Sequence, residues 1–372
     1  MKNPITMAAC ALVALAAGAA GDSLNGYTQT NLVSDLPGVA AHQDPDLVNP
    51  WGIVAGPSTP FWVSDNGAGL ATLYSGTGTK LGLVVTVPAP SGSTGPSAPT
   101  GVVFNSSPSF GGVRFIFDTE DGTVSAWASG TSAILQATSP AGSVYKGLAT
   151  GNNGSADLLY AANFGLGRVD VFDSNFHATT ASGGFHDPNL PTGYAPFDIQ
   201  NIGGKLYVTY ALQDAAKKDD VAGPGHGFVD VYDLNGNFVN RLASQGALNS
   251  PWGLAVAPSG FGAFSGDLLV GNFGDGMINA FDSDTGSFLG TLDYPDGTPV
   301  AIDGLWGLGF GNGAQGQSRN ALYFTAGIAG PDQIEDHGLF GSLSVVTPEP
   351  ESLILAAVGL AMCLFVLRRR HC

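Results

Sequence analysis

Oxygen-bearing side chains recur at the ends of four short apolar runs in this chain. The runs are Trp62-Val-Ser-Asp65, Phe115-Ile-Phe-Asp118, Tyr160-Ala-Ala-Asn163 and Leu269-Val-Gly-Asn272. If Asp65, Asp118, Asn163 and Asn272 met in a ring, their oxygens would suit Ca2+, a hard cation that prefers several oxygen ligands. The bland alternative is that each closes its own turn by bonding nearby backbone amides, as Asp and Asn commonly do. A second set combines histidines with carboxylates: His42, Asp44, Asp46, His186, Asp187, His226, Glu335, Asp336 and His337. Such groups could hold Zn2+ or act as acid and base. No His-x-x-x-His spacing supports that chemistry, and solvated loop residues are the alternative. Lys146 is a further candidate, as a general base or anion contact, or as the partner of a neighbouring Asp.

What positions these residues is a repeat. A Pro-x-Gly start to an apolar run recurs every 46 to 55 residues. Its copies are Pro50-Trp-Gly-Ile-Val54, Pro99-Thr-Gly-Val-Val103, Tyr145-Lys-Gly-Leu-Ala149, Pro196-Phe-Asp-Ile-Gln200, Pro251-Trp-Gly-Leu-Ala255 and Leu305-Trp-Gly-Leu-Gly309. Each copy continues into a second run, a Gly-containing turn such as Asp121-Gly122 or Asp275-Gly276, and a third run. The third run carries an aromatic residue in five copies: Tyr74, Trp127, Phe172, Tyr232 and Phe281. A weaker fourth run closes the unit. Four antiparallel strands in a unit of this length make a propeller blade. Six units predict an all-β, six-bladed β-propeller over residues 26–347. The last unit lacks a fourth strand, and Tyr27-Thr-Gln-Thr-Asn-Leu-Val33 is an orphan strand of the right type. It is expected to complete that blade and close the ring. The three Trp of the Pro-Trp-Gly copies are expected to pack rather than to bind.

This topology places blade-to-blade connections and second-to-third-strand turns on one face, around the channel mouth. Four of the six histidines, His42, His186, His226 and His337, map to that top face. His177 maps to the opposite one. The turns in blades four (213–227) and six (327–338) are long, as functional insertions often are.

The ends differ from the body. Residues 1–20 read as a signal peptide, with Lys2 before a short apolar run and small residues after it. The C-terminus carries Pro348-Glu349-Pro350, an apolar run over 353–367 that predicts a transmembrane helix, and Arg368-Arg369-Arg370. The three cysteines, Cys10, Cys363 and Cys372, all lie in these end segments. The body therefore has no disulfide, thiolate metal site or cysteine nucleophile. The chain's net charge is −17, which repels nucleic acid and anionic lipid and is compatible with cations, neutral glycans or basic partners. Of the body's acids only Glu120 and Glu335 are Glu; the rest are Asp.

The Pro-x-Gly-[Ile/Val/Leu] strands resemble those of NHL-like six-bladed propellers, and the C-terminal order resembles the PEP-CTERM sorting tail. More closely, residues from Asn31 to Val346 resemble an uncharacterised family of exported propellers with such tails. Its recognisable segments here include Asn49-Pro-Trp-Gly52, Gly193-Tyr-Ala-Pro-Phe197 and Leu269-Val-Gly-Asn-Phe-Gly274. The resemblance implies Sec export, an exosortase-type processing protease as partner, and residence on the outer surface or in the matrix of a Gram-negative bacterium. The tail would anchor the chain to the membrane transiently. Six-bladed lactonases of related architecture hold Ca2+ in the channel with a Glu among the ligands; Glu120 and Glu335, both predicted in turns, depart from that pattern. The expectation is a non-enzymatic scaffold binding a matrix glycan, peptide or surface protein at its top face. The alternative is a Ca2+- or Zn2+-dependent hydrolase or lyase at the channel mouth.

Overall fold

The computed structural model describes residues 26–331 and 334–346. The signal segment, the sorting tail from Pro348 to Arg370 with its predicted helix, and Asp332 lie outside the described residues. Among the described residues no helix is long and apolar enough to cross a membrane.

Six sheets follow one another along the chain, five of four antiparallel strands and one of five, in which the short strand His42–Gln43 adds parallel to the edge of Tyr27–Ser34. Blade one comprises Pro50–Val54, Phe61–Asp65, Leu70–Tyr74 and Val85–Thr86, in spatial order. Blades two to five repeat that pattern, from Pro99–Phe104 in blade two to Phe288–Thr291 in blade five. Blade six takes its first three strands, Leu305–Phe310, Ala321–Ile328 and His337–Val345, from the end of the body. Its fourth is the N-terminal strand Tyr27–Ser34, paired antiparallel from Tyr27↔Val345 to Ser34↔Leu339. The expected closure is therefore present, and Tyr27 pins it further by donating its buried hydroxyl to the Phe261 carbonyl at 3.0 Å. Pairing that strand removes a sheet edge that would otherwise template aggregation. The third strand of blade six starts at His337, inside the segment expected to be the long turn 327–338, and the fourth strand of blade one is only Val85–Thr86.

Alternating apolar residues bury both faces of the inner strands, because each blade is covered by a neighbour on either side. Six of the apolar clusters fill the spaces between adjacent blades. The seventh lies on the propeller axis and contains Trp51, Phe164, Phe197, Trp252 and Trp306. The tight turns use glycine where a positive φ is required, as at Gly122 (72°) and Gly276 (70°).

Candidate functional site at the plugged channel mouth

The Pro-x-Gly motif has a structural meaning that its composition hides. In every blade the ladder between first and second strands shifts register just after its first residue, for example between Pro50 and Ile53 or between Tyr145 and Gly147. A bulge re-aims the residue it contains. Here the six bulged residues are Trp51, Thr100, Lys146, Phe197, Trp252 and Trp306, all buried. Trp51 stacks on Trp306 with centroids 3.5 Å apart, and Trp252 meets both edge-on at 6.1 and 5.8 Å. Phe273 stacks on Trp306 from the other side at 4.0 Å. The Trp252 indole N–H donates to the Lys146 carbonyl. The tryptophans therefore form a plug at the top of the channel, in accord with packing.

Lys146 is the charged member of this ring, and its side chain is 2% exposed. Its Nζ sits 4.8 Å from the centroid of Trp51, a cation–π geometry. It donates to Glu120 Oε1 at 2.5 Å and to the exposed Asp219 at 3.4 Å. Asn66 Nδ2 donates to the other Glu120 oxygen at 3.3 Å. Burial works to raise the Glu120 carboxyl, and the Lys146 ammonium overrides it, so the group ends below its ordinary range. Glu335, from the long turn of blade six, goes the other way. Burial, with the negative charges of Asp220 and Glu120, pushes it up to about 7 despite Lys146. Asp220, from the long turn of blade four, is also raised by burial, and its Oδ2 has no hydrogen-bond partner. Blades two, three, four and six thus converge on one ion pair flanked by two carboxyls held toward neutrality.

The residues expected from sequence have mixed positions. Lys146 and Glu335 belong to this site. Asp44 accepts from the Tyr74 hydroxyl and pairs with Lys80, which also holds Asp46. Asp187 is buried against Arg241, which also bonds Asp230. His337 bonds Asp35 at 2.7 Å, and that hydrogen bond raises its pKa; Asp336 stands 3.7 Å from its other nitrogen. His226 bonds the Val221 carbonyl, while His42 and His186 are exposed. The structure does not bring these histidines together.

The four oxygen-bearing residues are all buried at the top ends of second strands. Their equivalence is broken at Asp118. Asp65, Asn163 and Asn272 pair with the first residue of the motif, but in blade two Pro99 pairs with Thr119. One residue of offset turns Asp118 to the opposite sheet face, where it accepts from the Gly101 amide and the Thr100 hydroxyl. Asn163 is engaged with Ser143, Asp170 and the Val144 and Leu166 amides. Asn272 donates to Ala247 and Asp275. Asp65 has no partner for either oxygen, and burial raises it well above the ordinary range. Among the described residues no group of three or more His, Cys, Asp or Glu is placed to hold a metal ion.

Sequence reasoning missed Glu120, Asn66, Asp219 and Asp220 as members of the mouth. The rarity of Glu in the body was the available signal, since Glu120 pairs with Lys146 and Glu335 lies within reach of its charge.

The fold and plugged channel define a closed six-bladed β-propeller. A scan against protein-family models finds no match. An uncharacterized protein of Acanthamoeba polyphaga mimivirus is 35% identical over 332 residues, covering 84% of this chain and 78% of the relative. A second uncharacterized mimivirus protein is 36% identical over 331 residues, covering 84% of each. This chain belongs to the family of those two proteins. Among solved structures, catalytically inactive virginiamycin B lyase from Staphylococcus aureus with quinupristin aligns with a TM-score of 0.51 at 11% identity, over 86% of this chain and 99% of that one. That likeness is one of fold alone.

Proposed function

We propose that this propeller is a binding scaffold, exported to the cell surface or exopolysaccharide matrix, that takes its ligand at the top face. The observation that carries this reading is the Lys146–Glu120 pair seated on the tryptophan plug. Its charges cancel, while Asn66, Asp219, Asp220 and Glu335 surround it with hydrogen-bonding groups. A hydroxyl-rich, neutral ligand such as a matrix glycan fits that chemistry. The apolar and arginine-rich C-terminal segment, with its Pro-Glu-Pro, supports export through an exosortase-type route. NHL-like and PEP-CTERM membership belong to this proposal.

The test is a glycan array and matrix pull-down with the wild-type chain and the Lys146→Met/Glu120→Gln double variant. The double variant avoids leaving one buried charge alone. Wild type is expected to capture a glycan that the folded variant binds about tenfold less well or worse. No capture by wild type, or equal capture by both, overturns the reading.

One observation favours a second reading, a hydrolase or lyase at the mouth. Glu335 at about 7 is tuned for proton transfer near neutral pH. A Ca2+ or Zn2+ cofactor for it would need ligands beyond the four turn residues as they stand.

A further inference from the structure

Below the plug, the channel opens into a cavity of about 660 Å3 lined by residues from all six blades. That is the size of an ordinary small-molecule pocket. Its walls include the apolar side chains of Ile53, Val102, Leu148 and Leu308. Its rim holds neutral amides: Gln200, and Asn105, Asn152 and Asn201, which are already bonded to neighbouring protein groups. These lie at or beside the ends of first strands remote from the bulge, so the rim is on the face opposite Lys146.

Asp198 sits deep in this cavity and breaks the repeat. The position after the bulged residue is Gly in five blades and Asp in the fourth. Glycine is used there because strands crowd at the axis. A Cβ on Gly253 would stand 2.5 Å from the Trp306 carbonyl oxygen, and one on Gly307 2.6 Å from that of Trp51. Asp198 instead packs its carboxyl over Gly147. It is 2% exposed, and its Oδ2 has no hydrogen-bond partner. Buried polar atoms are ordinarily hydrogen-bonded, so this oxygen is a ready acceptor for a donor entering the cavity. Asp157 is the other ionisable residue lining the cavity, and Ser109 and Asn152 already satisfy it. No Lys, Arg or His is among the lining residues.

We propose that the lower channel binds a small organic amine, with its ammonium paired to Asp198. An anion would meet only acids there. The charge state follows. Burial, with Asp118 nearby and against partial relief from the Ile199 amide and Gln200, pushes the Asp198 carboxyl well above the ordinary range. The free protein therefore keeps it protonated to higher pH than an ordinary aspartate. Pairing with an ammonium ionises the carboxyl and releases its proton to solvent. This site is separate from the top-face reading, and either can fail without the other.

The experiment is calorimetry on the purified full-length chain near pH 7, in two buffers of different ionisation enthalpy. The probe is N-methyl-D-glucamine, a polyhydroxylated ammonium, with sorbitol as its neutral counterpart. The amine is expected to bind with proton release, and sorbitol about tenfold more weakly or not at all. Asp198→Asn copies the neutral acid, so it should keep the wild-type melting curve while losing amine affinity about tenfold and the proton release. Thr150→Phe, which crowds the cavity wall without touching the carboxyl, should also weaken binding. No amine binding, equal binding of sorbitol, or unchanged binding and proton release in folded Asp198→Asn overturns the proposal.

Discussion

A buried lysine is tolerated when an anion meets its tip, and Glu120 does so for Lys146. The dependence runs both ways, because Glu120 is itself 13% exposed. Lys146→Met alone should cost about 3 kcal/mol, the typical penalty of stranding one buried charge. Adding Glu120→Gln should recover most of it; chemical denaturation of wild type, both singles and the double checks this. Asp118 makes a different prediction. Burial raises its pKa to about 7 from an ordinary 3.8. The folded state therefore favours the protonated form, and this contribution is fully present below the unfolded value. It is lost as pH rises from about 4 to about 7 and stays lost above, a total on the order of 4 kcal/mol. Asp118→Asn keeps an acceptor for Gly101 and Thr100 and cannot ionise. Its stability advantage over wild type should grow across that pH range and then level off; a pH-independent difference would contradict the assignment. Residue type alone marked Lys146 and Glu335 in the sequence. It could not mark Asp118's facing, because one offset in register decides which way it points.

The six-fold bulge is the element that makes the site. Pro-x-Gly was legible as a repeat, and so were the strands after it, because apolar runs and Gly turns carry strong local signals. What x does was not legible. An alternating strand would place it against a neighbouring blade; the bulge gathers it with Trp51, Phe197, Trp252 and Trp306 on the axis. The adjoining glycine is equally constrained. Gly253→Ala would drive a methyl into the Trp306 carbonyl at 2.5 Å, so we expect a loss of about 1–3 kcal/mol, the range for overpacking. A thermal melt checks it, and unchanged stability would show that the inner strands can spread. Asp198 escaped the sequence reading for the same reason: its repeat position was visible, but not the crowding that makes a side chain there unusual.

At the scale of the molecule, six inter-blade cores and one axial core are closed into a ring by Tyr27–Ser34. That closure was foreseeable because the last unit was one strand short and an orphan strand stood at the other end. The convergence at the mouth was not, since Glu120, Lys146, Asp219 and Glu335 are far apart in sequence and meet only through the ring. A chain of net charge −17 repels itself. Raising ionic strength from about 0.01 to 0.15 M should therefore raise the melting temperature, as screening shortens the reach of that repulsion. The central claim is that recognition occurs at the top face, on the ion pair above the plug. Hydrogen–deuterium exchange with and without the tightest-bound array glycan tests it most directly. Protection is expected in the top-face segments around Glu120, Asp219–Asp220 and Glu335. Protection confined to the turns around Asn105, Asn152 and Asn201 on the opposite face, or spread evenly over the propeller, would contradict it.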